Sequence, residues 1–444
     1  MRRLAAVNPE LAERSWLFYL SGEGEERGLA TDLFDVLLDQ AVQQDYHERF
    51  VLDPPPRAVC TGEYSLGVVV YPPGQAYGAF GLREDEWLKH VLIVGMTGAG
   101  KTTLAFHLLR QLRRKGKPFL VFDWKQSYRD LRQLADLADT RVYTVARKAA
   151  PFRFNPLVPP PGTAPGEWLM QLVDVLKHAY FVGEGVEYLL RRGIDWCYQH
   201  CGLFDEQPCA TPTFLRVREY VQKQRLQGRM SLWKASAQRV LEALCFRHGL
   251  GPVLNTAPTV DLAMLLTRPV VLELDALADA DKVFLTEALI LCLYHYRKNH
   301  GAREVFHHAL VIEEGHHILS QKKEHSAGSE TIMETCLRQI REFGEAVVVI
   351  DQEPSKLSGS IKANTYTKIA FTLGNGADIE DITRCMRLTS DEANSLKLLS
   401  VGEAVVTLNG RTHRPLHVCF PAVPIEKGRE HNARLKTSSS GRKS

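Results

Sequence analysis

No stretch of this 444-residue chain reaches the roughly 18 consecutive apolar residues that a membrane-spanning helix needs, so insertion into a bilayer is not expected. The opening residues MRRLAAVNPELAERSW lack the apolar centre of a signal peptide. An excess of one charge is missing too. Fifty-five Lys+Arg against 52 Asp+Glu give +3, so contact with nucleic acid has to come from local basic clusters, not a global field. There is no C-x-x-C pair: the nine cysteines (60, 197, 201, 209, 245, 292, 336, 385 and 419) are an odd, scattered set. That pattern argues for reduced thiols in the cytoplasm and against a disulfide framework. Cys197, His200 and Cys201 are close enough to suggest a ligand cluster, although thiols along a helix are the simpler reading. With 45% apolar and 24% charged residues, the composition is that of an ordinary globular protein. The length allows two or three domains, or one large core with insertions.

What is present is an alternation of strand-like and helical runs. Residues 1–58 read as an N-terminal helical segment. In it ATDLFDVLLDQAVQQ, from Ala30, places Leu33, Phe34, Leu37 and Leu38 on one face, and DPPPR at 53–57 acts as a linker. Residues 59–164 hold short β-type runs and then KHVLIVGMTGAGKTTLAFHLLRQL…KPFLVFDWK, which reads strand, glycine loop, helix, strand. Residues 165–255 look like a helical insertion. Strand-like runs return in 256–424 as RPVVLEL, HALVIEE, EAVVVIDQ, TKIAFTL and GEAVVTL, with a strong helix in ADKVFLTEALILCLYHYRK. Such alternation predicts an α/β fold with a mostly parallel sheet. The tail 425–444 is polar, Ser-rich and basic, and disorder is expected there. No internal repeat is apparent.

The segment Gly95–Thr103, GMTGAGKTT, fits G-x-x-x-x-G-K-[ST] in the strand-to-helix context that the motif demands. Gly95, Gly98 and Gly100 permit positive-φ turns that bring backbone N–H groups toward phosphate oxygens. The following helix adds its positive end. Lys101 is suited to the β- and γ-phosphates, the Thr102 hydroxyl to Mg²⁺, and Thr97, Ala99 and Thr103 complete the nucleotide-binding loop.

The second informative stretch is FHHALVIEEGHHIL, Phe306 to Leu319, in which four histidines and two glutamates flank an apolar run. A buried strand over Ala309–Ile312 would set His308 and Glu313 roughly 16 Å apart, too far to share an ion. The spacing also differs from H-E-x-x-H. The acids instead suit a phosphate-loop ATPase, which needs one carboxylate for magnesium and one to orient the attacking water. Glu313 is assigned the first task and Glu314 the second. His316 and His317 are expected in surface or packing roles.

With both elements in place, the chain resembles the HerA–FtsK superfamily of hexameric DNA-pumping ATPases, nearest its HerA-like branch, which is related to type IV secretion and conjugation ATPases. The likeness covers about 60–424. It rests on the phosphate loop with its lead-in, on FLVFDWKQSYRDL, FRFNPL, RPVVLELDAL and REFGEAVVVIDQEPSKLSGSIKANTYTKIAFTL, and on LLSVGEAVVTLNGRTHRPLHV. The resemblance implies a RecA-like P-loop NTPase core with a helical insertion and a small N-terminal helical/β segment, and ATP and Mg²⁺ as cofactors. It makes Gln352 the γ-phosphate sensor and Arg341 an arginine finger acting on a neighbouring subunit, with Arg338, Arg384 and Arg387 as competitors.

The chain departs from the family pattern at three points. Glu313 replaces the usual Asp, Gly315 replaces a frequent Ala, and only about 30 residues of strand-like sequence stand where longer HerA proteins carry a β-barrel. The implied activity is ATP-driven translocation on double-stranded DNA by a ring, a homo-oligomer of six, with a nuclease or effector partner in DNA processing or phage defence. Residues 222–229 and 320–330, the latter with Lys322 and Lys323, are the pore-loop candidates for DNA contact, while the basic cluster at 110–117 suits DNA contact and complementing the dipole at a helix C-terminus equally well. The alternatives are a conjugation or secretion ATPase and a nucleotide-gated scaffold for an effector.

Overall fold

The computed structural model describes residues 9–24, 27–28, 31, 52–71, 74–205, 208–257, 259–322, 331–426 and 428. Residues 32–44 of the expected N-terminal helix, loop residues 323–330 and the basic tail from 429 lie outside them. Among the described residues eleven strands form one sheet: β1 Tyr64–Val70, β2 Ala76–Leu82, β3 Val91–Val94, β4 Phe119–Asp123, β5 Arg141–Thr144, β6 Val270–Glu273, β7 His308–Glu313, β8 Glu345–Asp351, β9 Thr367–Ala370, β10 Glu403–Leu408 and β11 Leu416–Cys419. Their order is β2-β1-β11-β10-β9-β3-β8-β7-β4-β6-β5. From β9 to β5 every neighbouring pair is parallel, whereas β10, β11, β1 and β2 add an antiparallel flank. The β-type lead-in at 64–82 is therefore a hairpin that extends the same sheet and pairs with β11.

The central strands are buried throughout because both faces are covered, as parallel sheets require. Alternate residues divide between two cores. Leu92, Val94, Leu310, Ile312, Val347 and Val349 join one, while Val91, Ile93, Ala309, Val311, Ala346 and Val348 join the other.

Apart from helix α1, Pro9–Ser21, the helices are placed by this division. Helix α2, Lys101–Arg114, follows β3 and buries Leu104, Leu108 and Leu112 in the second core. The segment between β5 and β6 forms α3 Pro165–Tyr180, α4 Glu184–His200, α5 Phe214–Lys223 and α6 Arg229–Cys245. Their apolar faces join the first core together with α7, Asp279–His300. Asn155 of the FRFNPL stretch is buried and ties this region down: its side chain donates to Pro212 O at 2.8 Å and accepts from Leu157 N at 3.0 Å. Helix α8, Ile332–Gln339, opens with a capping box between Thr331 and Glu334. Helix α9, Gly376–Met386, lies between β9 and β10.

Two features escaped the sequence reading. β5 is a four-residue edge strand, too short for a periodic signal, and α9 is a polar helix capped by Asn375. The basic cluster at 110–117 is engaged by acids. Arg110 and Arg114 pair with Asp136 at 3.2 and 3.0 Å, Arg113 with Asp139 at 2.6 Å, and Lys117 with Glu84 at 2.5 Å.

A buried polar knot closes the starting edge of the central strands. Glu345, fully buried, accepts from His308 Nδ1 at 2.6 Å and from Arg297 Nε at 2.5 Å. Burial alone would raise its pKa, but these two partners hold it below the ordinary carboxylate value. The stability it contributes is therefore present above the unfolded-state pKa and is lost as pH falls through the folded one. Glu345→Ala strands the Arg297 charge in a low-dielectric site. A loss of about 3–5 kcal/mol in urea unfolding is expected, and a loss below about 1 kcal/mol would show that the knot is dispensable.

Candidate functional site

Period-two alternation decides which side chains meet at the finishing edge of the sheet. In β4 and β7 the paired residues Phe122 and Ile312 point to the first core. Asp123 and Glu313, one step on, turn to the face that carries α2. The two carboxyl groups end neighbouring strands side by side, and both are buried. Burial, foremost, pushes both pKa values up, with the Glu273 charge adding to the rise at Asp123 and the Asp123 and Glu314 charges adding to it at Glu313. Asp123 is partly compensated by backbone N–H groups of Lys125 and Tyr128 at 3.0 and 2.9 Å. The Tyr128 hydroxyl faces Glu313 without closing a well-formed hydrogen bond.

The phosphate loop lies beside this pair. Gly98 and Gly100 have φ of 84° and 118°, values that a side chain would strain. Lys101, the first residue of α2, is buried. Its ammonium donates to the loop carbonyls of Gly95 and Met96 at 2.5 and 2.9 Å. Burial draws its pKa down to about 8, against the opposing pull of Glu314, Asp351 and Glu313. Thr97, Gly98, Gly100, Lys101, Thr102, Thr103, Glu313, Glu314 and Gln352 all line one cavity of about 480 Å³. Gly95 and Ala99 shape the loop without lining the cavity: Ala99 is buried and its carbonyl accepts from Gly402 N at 3.0 Å.

A chain of side-chain contacts closes the cavity. Thr97 Oγ1 donates to Gln352 Oε1 at 2.5 Å, and Gln352 Nε2 donates to Glu314 Oε1 at 2.6 Å. The Lys125 ammonium pairs with the same Glu314 oxygen. Glu314 itself has φ 49° and ψ 48°, a left-handed conformation that is costly for a residue with a Cβ. Gly315 allows the turn that follows, since a Cβ there would sit 2.4 Å from Val349 Cγ1. Asp351, the last residue of β8, secures the turn by accepting from His316 N at 2.7 Å and from Glu353 N at 2.7 Å. His316 Nδ1 also lies 3.0 Å from Asp351 Oδ2. Burial would depress His316, but the Asp351 hydrogen bond and charge, aided by Glu314 and Glu353, leave its pKa raised.

His307 and His308 stand before or at the start of β7, and His316 and His317 beyond its end. His317 stacks on Trp124 with ring centroids 4.5 Å apart. Both later histidines line an adjoining cavity of about 460 Å³, not the one that holds Lys101. Among the described residues no group of three or more His, Cys, Asp or Glu is arranged as a metal cluster. Cys197 and Cys201 are buried, and His200 packs on Trp196.

Arg341 is not brought to this cavity. It is exposed in the short 3₁₀ turn Ile340–Phe343, before the first residue of β8. Gln352 follows the last residue of that seven-residue strand, so the two lie on the order of 23 Å apart along it. Arg338, Arg384 and Arg387 do not line the cavity either.

Sequence reasoning missed Asp123, Lys125, Ser127, Asp351 and Val401. Asp123 and Lys125 were within the motif FDWK, where an acid closing an apolar run was the available signal. Asp351 adjoins Gln352 and could have been found the same way. Ser127 and Val401 carry no local mark.

Residues 80–174 match the family described as Helicase HerA, central domain. A 98-residue segment is 32% identical to the DNA double-strand break repair helicase HerA of Pyrococcus furiosus. It spans 22% of this chain and only 17% of that protein. The fold is similar to VirB4 of Thermoanaerobacter pseudethanolicus, with a TM-score of 0.62 and 17% identity over 81% of this chain and 96% of that one. It is also similar to the bacterial conjugative coupling protein TrwB, with a TM-score of 0.61 and 12% identity over 85% of this chain and 93% of that one. TrwB has been solved with ADP and Mg²⁺. No described helix is long and apolar enough to cross a membrane. The chain thus carries a segment similar to the central domain of helicase HerA, set in a fold shared with VirB4 and TrwB.

Proposed function

We propose that the chain is the ATP-hydrolysing subunit of a ring-shaped, HerA-type motor that couples phosphoryl transfer to movement on double-stranded DNA. The observation that supports this best is the meeting of Lys101, Thr102, Glu313, Glu314 and Gln352 around one cavity, although the loop and the sensor are about 250 residues apart in the chain. In this reading the loop amides and Lys101 hold the triphosphate. Glu314 accepts a hydrogen bond from the attacking water and aligns it, and Gln352, already bonded to both Thr97 and Glu314, registers the γ-phosphate.

The site suits Mg²⁺. Thr102 and Glu313 offer hard oxygen ligands, and Asp123 and Glu313 are crowded carboxyls whose repulsion a divalent cation relieves. A bound Mg²⁺ supplies positive charge to the β- and γ-phosphate oxygens. The left-handed turn at Glu314 and its grip by Lys125 and Gln352 preorganise the carboxylate, so little reorganisation remains for the moment of reaction.

The DNA half of the reading is tested by turnover. ATPase activity is expected to rise several-fold on adding double-stranded DNA and to lose that stimulation steeply between about 50 and 200 mM salt, because phosphate contacts release counterions. Turnover indifferent to DNA at every salt concentration would overturn the motor and favour the nucleotide-gated scaffold. Stimulation only in the presence of membrane-bound transfer components would favour the conjugation or secretion ATPase.

A further inference from the structure

The turn between α9 and β10 hangs an exposed apolar side chain over the phosphate loop. Val401 is 79% exposed yet lines the same cavity as Lys101 and Glu314. The other aliphatic lining residue, Ile350, is buried in β8. Three hydrogen bonds tie this turn to the loop and hold Val401 in place. Met96 N donates to Thr372 O at 2.8 Å, Thr372 Oγ1 to Leu399 O at 2.8 Å, and Gly402 N to Ala99 O at 3.0 Å. Close approach is possible because both contact points are glycines: a Cβ on Gly100 would lie 3.2 Å from Gly402 N.

The backbone groups of Ser400 and Gly402, on either side of Val401, are already engaged. Leu399 O accepts from Thr372, Ser400 N donates to Glu403 Oε2 at 3.0 Å, and Ser400 O accepts from Glu403 N at 3.0 Å. Gly402 uses its N–H on Ala99, and its carbonyl accepts from Phe420 N at 2.8 Å.

We infer that Val401 is the platform for the nucleobase of the bound nucleotide, a subsite that holds purines by apolar contact without reading their edges. The inference rests on the nucleotide-binding function proposed above. A ring face laid on a fixed apolar side chain gains contact at small entropic cost. A subsite whose flanking backbone groups are committed elsewhere lacks the extended hydrogen-bond array that lets a site reject one base strongly. Adenine and guanine nucleotides are therefore both substrates.

Calorimetry with ADP, GDP and inorganic pyrophosphate in the presence of Mg²⁺, on wild type, Val401→Trp and Val401→Ser, tests this. In wild type, ADP and GDP are expected to bind within about tenfold of each other and more tightly than pyrophosphate. Val401→Trp is expected to tighten both nucleotides about five- to tenfold by stacking, with tryptophan fluorescence quenched by nucleotide and unchanged by pyrophosphate. Val401→Ser is expected to weaken both nucleotides and spare pyrophosphate. If ADP outbinds GDP by more than about a hundredfold, an edge-reading site is present and the inference fails. If pyrophosphate binds as tightly as ADP, or the two variants leave nucleotide affinity unchanged, the subsite fails while the phosphate cradle stands. If wild type binds none of the three, the nucleotide function itself falls.

Discussion

Glu314→Gln is expected to lower ATP turnover about a thousandfold while leaving ATP binding nearly intact. The amide keeps the size of the side chain and its reach to Gln352 and Lys125. It loses the negative charge that holds a water by its proton, and general-base or water-positioning groups contribute about 10²- to 10⁴-fold. Lys101→Ala is the companion variant, expected to lose both turnover and affinity, because its ammonium is the buried cation at the loop. Measuring kcat and nucleotide affinity separately distinguishes the two. Equal activity in wild type and both variants would sink the catalytic assignment, and Glu314→Gln failing to bind ATP would show that Glu314 holds nucleotide and not water.

Arg341→Ala is expected to cost a comparable factor, about a thousandfold or more, if it acts as a finger across a subunit boundary. Its position makes the proposal specific: it is exposed at the starting edge of β8, away from the cavity of its own chain. Only a neighbouring copy is open to it. Mixing Arg341→Ala subunits with Lys101→Ala subunits then restores part of the activity, because an intact loop on one chain meets an intact arginine on the next. No recovery at any mixing ratio would count against a finger at this position, and the exposed Arg384 on α9 or Arg387 at its C-terminal cap would be tested in its place.

The parts of this protein that were legible in its sequence are those whose chemistry is local. Gly95–Thr103 carries its glycines, lysine and threonine within nine consecutive positions, so strand, turn and helix announce themselves without reference to the rest of the chain. β7 was legible because a strand covered on both faces shows as an unbroken apolar run, and its acids stand out where the run stops. Six strands of the parallel region, all but the short edge strand β5, and the helices inserted between β5 and β6 followed from the same periodicities.

Tertiary structure decided what surrounds those acids. Strand order puts β4 between β6 and β7, which brings Asp123 against Glu313, and places β8 between β3 and β7, which brings Gln352 between Thr97 and Glu314. Lys125 and Asp351 became site residues the same way, and the rigid turn that carries Val401 reached the phosphate loop only through backbone hydrogen bonds. Basic residues show the converse. Arg110, Arg113 and Arg114 form a basic cluster that in one dimension suits nucleic acid or the helix dipole equally, and in three they are ion-paired to Asp136 and Asp139. The physical reason is common to all of these. A strand's own residues specify that it is buried and where it ends, whereas the partners of its terminal side chains are set by which strands lie beside it, and that choice is made by the packing of the whole sheet.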